Sequence, residues 1–141
     1  MPQDLNYYQT FITTSPDCRA LEGTAPKVKE GKALTKARIE YDMLSAHPYS
    51  YTQEELLYQV HLHHKQIPVE EQNEQARKAF FQKSHACLRA SALPKTYGWG
   101  LHFNQEGKIA LYGSETNAYE EFVQDKSITK LSGMRSKRTS G

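Results

Sequence analysis

Three short stretches hold the residue types and spacings most capable of chemistry. The first is Tyr97-Gly98-Trp99-Gly100-Leu101-His102-Phe103. As a strand it sends Tyr97, Trp99, Leu101 and Phe103 to one buried face and Gly98, Gly100 and His102 to the other. Two glycines inside a strand cost stability and leave backbone bare. Lys108 to Gly113 completes a hairpin around Gln105-Glu106-Gly107, with Gly107 in the left-handed position. Pairing Asn104 with Lys108 sets His102 opposite Ala110 and Gly100 opposite Tyr112. The expected site is a shallow groove on this glycine-bare face. Tyr112 would stack on a guest, His102 would hydrogen-bond it, and flanking Arg89 and Lys95 would favour an anionic group. The plainer alternative is that Tyr112 folds over Gly100 and fills the gap itself.

The second stretch is His61-Leu62-His63-His64. His61 and His64, three apart on a helix, occupy neighbouring positions of one face. With a ligand from elsewhere, His102 or His85, they would form a metal site, the expected set being His61, His64 and His102. The H-E-x-x-H spacing is absent, because Lys65 stands four residues after His61. A core-edge histidine is the simpler account of His64, which falls near the Leu56–Val60–Ile67 stripe. The third stretch is Ser84-His85-Ala86-Cys87-Leu88-Arg89, where His85 or Arg89 would activate the Cys87 thiolate. No orienting carboxylate is assignable and no glycine-rich oxyanion turn follows, so a buried, inert thiol is the commoner outcome. No G-x-S-x-G, phosphate-loop or dinucleotide fingerprint is present, and the residue pattern names no cofactor.

The elements that must position these residues follow from periodicity. Tyr7 to Thr14 is rich in aromatic and β-branched residues and reads as a strand, ended by Ser15-Pro16-Asp17. Residues 19–33 form a long, exposed, basic loop. A helix runs from near Thr35 to near Ala46, with Leu34, Ala37, Tyr41 and Leu44 on one stripe. Thr52 and Glu55 form the capping signal for a second helix, which Pro68 closes while opening a third. Ala86 to Ala90 is a short strand or the end of the third helix. Ser114 to Gln124 is a helix capped by Ser114 or Thr116, and Ile128 to Gly133 is a last strand. The order β-ααα-β(β)β-α-β gives an α+β single domain over 1–134, a mostly antiparallel sheet with helices on one face, and a basic flexible tail at 135–141.

Composition sets the outer bounds. The 141 residues fit one core, and no run approaches the ~18 apolar residues of a membrane span. Only two cysteines occur, 18 and 87, too few for a disulfide scaffold. The N-terminus lacks a secretory pattern, so a cytoplasmic location with free thiols is expected. The net charge of +2 conceals blocks: −2 over residues 1–18, +4 over 19–38, −5 over 39–125 and +5 over 126–141. The basic loop and Arg135-Ser136-Lys137-Arg138 would meet phosphate, but so few bases make a small footprint for nucleic acid.

Several segments together resemble one family. They are Asn6-Tyr7-Tyr8, His47-Pro48-Tyr49 with Tyr51-Thr52, Val60-His61, Cys87-Leu88-Arg89-Ala90-Ser91, Tyr97 to Phe103, and Met134-Arg135-Ser136-Lys137-Arg138. The chain resembles a family of small, uncharacterised, mainly bacterial proteins known only as a domain of unknown function. The resemblance spans nearly the whole chain and implies a complete single-domain protein. It carries no reaction, cofactor or catalytic residue.

Three functions from different classes follow. The favoured one is a binding module that holds a small anionic ligand or a protein segment on the face of Gly98, Gly100, His102 and Tyr112, beside Arg89 and Lys95. The second is a histidine-centred enzyme, metal-assisted or not, using His61 and His102 with Tyr112 or Cys87 nearby, which requires His61 and His102 to approach one point. The third is a nucleic-acid or protein-interaction module using the loop 19–38 and the tail.

Overall fold

Strand formation follows the apolar alternation, and the sheet it builds is what divides the molecule's two candidate regions. The computed structural model describes residues 5–135. Its strands are β1 (Thr10–Thr13), β2 (Trp99–Phe103), β3 (Ile109–Gly113) and β4 (Thr129–Ser132), in the order β3-β2-β1-β4. The β3-β2-β1 pairs are antiparallel, and β4 runs parallel to β1. The sheet is therefore mixed within an α+β single domain. The expected hairpin register is present, with His102 opposite Ala110 and Gly100 opposite Tyr112. Gly107 turns the hairpin at φ +79°.

Among the described residues five helices accompany the sheet: α1 (Lys36–Ala46), α2 (Gln53–His64), α3 (Glu74–Gln82), α4 (Ala92–Lys95) and α5 (Asn117–Gln124). Side-chain oxygens cap all five as the local sequence dictates, Ser91 accepting from Leu93 N–H at α4. Thr35 accepts from Arg38 N–H, Thr52 from Glu55 N–H, Asn73 from Ala76 N–H and Thr116 from Tyr119 N–H. Pro68 does not open the third helix. A single 3-10 turn at Val69–Glu71 follows it, and α3 starts only where Asn73 supplies a cap. Residues 86–90 are likewise no strand, because Leu88–Ala90 form a 3-10 turn.

The main core lies on one face of the sheet. Ile12, Leu101, Phe103 and Ile109 meet Ile39 and Leu44 of α1, Leu56 and Val60 of α2, and Leu88. At about 25 cal/mol per Å² of apolar area removed from water, side chains of this size each contribute roughly 1.5–3 kcal/mol. Helices do not occupy that face alone. Helix α5 covers the other face, where Phe122 stacks on Phe11 at 5.1 Å and on His102 at 4.1 Å between ring centroids. The expectation of helices on one face missed this because α5 is only eight residues long and nothing in its sequence says which sheet face its apolar side meets.

The 19–38 loop is exposed over most of its length but fixed in its middle. Thr24 N–H donates to Tyr97 O, Trp99 Nε1–H donates to Thr24 O, and Pro26 is fully buried. Of the basic tail, Arg135 is described and residues 136–141 lie outside the described residues. Among the described residues no helix is long and apolar enough to cross a membrane.

Candidate functional site

The glycine face is closed, not open. A Cβ built on Gly100 would stand 2.4 Å from Phe11 Cζ and 2.7 Å from Tyr119 Cε2. One on Gly98, at φ +79°, would stand 2.4 Å from Glu22 O. The glycines are small because the protein's own atoms need their space: β1 and α5 at Gly100, the 20–24 loop at Gly98. Tyr112, the expected filler, is not the side chain responsible. It instead joins a hydroxyl cluster with Tyr49, whose Oη lies 2.7 Å from Tyr112 Oη and 2.8 Å from His102 Nδ1. Tyr49 reaches this position from a left-handed backbone, φ +58°, an uncommon state for a side chain of its size. Burial pushes the Tyr49 hydroxyl above its usual range, and the bond to Tyr112 adds to it. Burial also lowers His102, against a smaller opposing pull from Asp125.

Arg89 is turned to β4, where its Nε donates to Ser132 O, and Lys95 ends α4, a helix that contacts both β2 and α1. The three histidines of the metal reading also separate. His102 stacks on Phe122 beneath α5, His61 packs on Phe80 of α3, and His64 lines a different cavity with Ile39 and Met43. The sheet stands between His61 and His102, so the histidine-centred enzyme loses the shared point it requires. Among the described residues no group of three or more His, Cys, Asp or Glu is placed to hold a metal ion.

A different place gathers chemistry. A cavity of about 410 Å³ lies between α1, α2, α3 and the 85–92 connector. That volume is within the range of small-molecule pockets. Its walls include Lys36 and Glu40 from α1, His61 from α2, and His85, Cys87 and Ser91 from the connector. Helix α1 presents Ala37, Glu40 and Leu44 inward at spacings of three and four, so the carboxyl sits in an otherwise apolar stripe. Glu40 is only 8% exposed. Its Oε1 accepts a hydrogen bond from Ser91 Oγ at 2.7 Å. Among the described residues no cation comes within ion-pair distance of it.

Burial without an ion pair penalises the carboxylate. Glu40 is therefore pushed up from 4.5 to about 7, although the Ser91 bond and the more distant Lys36 charge pull it partly back. His61 moves the opposite way: burial lowers it, and the His85, Lys65, Lys36 and His64 charges around it lower it further. Lys36 and His85 are exposed at the rim. Near neutrality the cavity thus combines a carboxyl poised between two protonation states, a neutral imidazole and one ammonium.

The connector is held from four directions. Gln53, 2% exposed, accepts from Leu88 N–H at 2.8 Å and donates to Leu5 O. Arg89 bonds to Ser132 O, Met134 N–H donates to Arg89 O, and Ser91 reaches Glu40. Beside Cys87, burial pushes the Tyr7 hydroxyl up to about 12, and its bond to the Cys87 side chain adds to the rise.

The sequence points to His61, His85 and Cys87 as candidates but gives no direct notice of Glu40, Lys36 and Ser91. The available signal was a glutamate three residues after Ala37 and four before Leu44, on the helix's own apolar stripe.

Compared with known proteins, residues 2–139 match the model of a family described as "Family of unknown function (DUF6157)". No curated protein and no solved structure matches the chain.

Proposed function

The chain belongs to that family of unknown function, and from this premise we propose that it binds a small anionic molecule, a monocarboxylate, in the cavity walled by Glu40. The observation that carries the reading is the buried, unpaired Glu40 carboxyl at a cavity of molecular size. Such a group costs folding stability, and pockets with strongly perturbed titratable residues are preferred places of function. Lys36 at the rim supplies the attraction for a carboxylate, and neutral His61 supplies a hydrogen bond. The lining contains no arginine, whose fork suits phosphate, so a singly charged head group is the better match. Protonated Glu40 donates to the ligand, and ionised Glu40 repels it. Two of the stretches that carry the sequence resemblance contribute to this cavity: Val60-His61, and Cys87 to Ser91 apart from Arg89. The face of Gly98, Gly100, His102 and Tyr112 is set aside because its bare backbone is already covered.

The test is a titration with butanoate at pH 6, followed by amide shifts in two-dimensional NMR. Saturable shifts centred on residues 36–40, His61 and 87–91, weakened about 10-fold by Lys36→Ala, support the reading. Shifts that never saturate, or that centre on another surface, reject it.

A further inference from the structure

We propose that Glu40 does more than bind: it is the catalytic base of a proton-transfer enzyme whose substrate is a small oxo-carboxylate with a C–H bond next to its carbonyl. This rests on the cavity being the ligand site. Geometry gives the roles. Glu40 lies on the cavity wall and has no cation paired to it, so its carboxylate is free to accept a proton. Ser91 Oγ at 2.7 Å fixes the carboxyl, and its other oxygen is the one offered to substrate. Lys36, one turn before Glu40 on α1, lies on the same wall and provides positive charge for an oxyanion.

In the step, the Glu40 carboxylate takes the proton from the carbon beside the carbonyl. The C–H electron pair becomes the carbon–carbon double bond of an enolate, and the carbonyl π pair moves onto oxygen, facing Lys36. Return of the proton from Glu40 to the same carbon regenerates substrate, and delivery to a neighbouring position gives an isomer. No electrons leave the system and no co-reactant is consumed. A base works best when its protonation midpoint lies near the working pH, which is where burial has moved Glu40. Ser91 is a positioning residue. Its bond favours the ionised carboxyl, so removing it should displace the pH profile upward.

The experiment follows exchange of the C3 protons of 2-oxobutanoate in deuterium oxide by proton NMR, with full-length protein. Butanoate, which lacks the carbonyl, serves as the binding control. With 2-oxobutanoate below saturation, where the free protein's midpoint governs the rate, protein-dependent deuteration is expected to rise with pH through about 7. Glu40→Gln, which preserves shape, should slow it about 100-fold or more while still binding butanoate. Ser91→Ala should retain exchange with its midpoint at higher pH. Binding of both carboxylates with no exchange above the spontaneous rate overturns the proton transfer and leaves the binding site standing. Unchanged exchange in Glu40→Gln overturns the assignment of the base. Binding of neither carboxylate overturns both claims.

Discussion

Glu40→Gln should raise the stability of the protein at alkaline pH and leave it nearly unchanged at acid pH. Folding moves the Glu40 midpoint from 4.5 to about 7. Between those values the native chain holds a proton that the unfolded chain has released. Stability attributable to this group is therefore intact below pH 4.5 and lost as pH rises through about 7. At 1.36 kcal/mol per unit, the shift corresponds to about 3 kcal/mol by pH 8. Glutamine is neutral throughout, and its carbonyl can still accept from Ser91. Urea denaturation of both proteins at several pH values measures the gap directly. For a urea slope of about 2 kcal/mol per molar, the two midpoints should coincide near pH 4.5 and separate by about 1.5 M at pH 8, with the variant higher. Parallel midpoints across the range would show that Glu40 ionises without penalty and refute the reasoning.

Other outcomes follow from the packing. Gly100→Ala should destabilise by about 2 kcal/mol, since its methyl would meet Phe11 and Tyr119, whereas Gly31→Ala, with nothing within 4 Å, should cost only about 1 kcal/mol for its positive φ. Urea midpoints compare the two. Tyr119→Phe removes the hydroxyl that accepts from Thr14 N–H and should cost about 1 kcal/mol in the same assay. His102 should titrate below 6.5 by NMR, and Phe122→Ala, which uncovers the ring, should move it back toward that value.

The hairpin was legible because its determinants are local. Alternation set the face of Leu101 and Phe103, and Asn104 to Gly107 set the register. Thr52 and Thr116 announced their helices for the same reason, since a cap needs only its own first turn. What covers Gly100 was not legible. It depends on β1 lying beside β2, where Phe11 comes from 89 positions before Gly100, and on α5 folding back from beyond the hairpin to bring Tyr119 over it. A glycine emptied for a ligand and a glycine emptied for a phenylalanine look alike in sequence. The parallel pairing of β4 with β1 was hidden similarly, because the whole chain intervenes. The Glu40 cavity was partly legible. The inward position of the carboxyl could be read from the α1 stripe. Its lack of an ion pair could not, since that depends on α2 and the 85–92 connector bringing no cation within reach.

The most direct measurement is the affinity for butanoate as a function of pH in the parent protein and in Glu40→Gln. If the cavity takes a carboxylate against Glu40, the parent's affinity falls as pH rises through about 7 and the variant's stays level. Equal pH profiles for the two proteins would contradict the placement of the ligand beside that carboxyl.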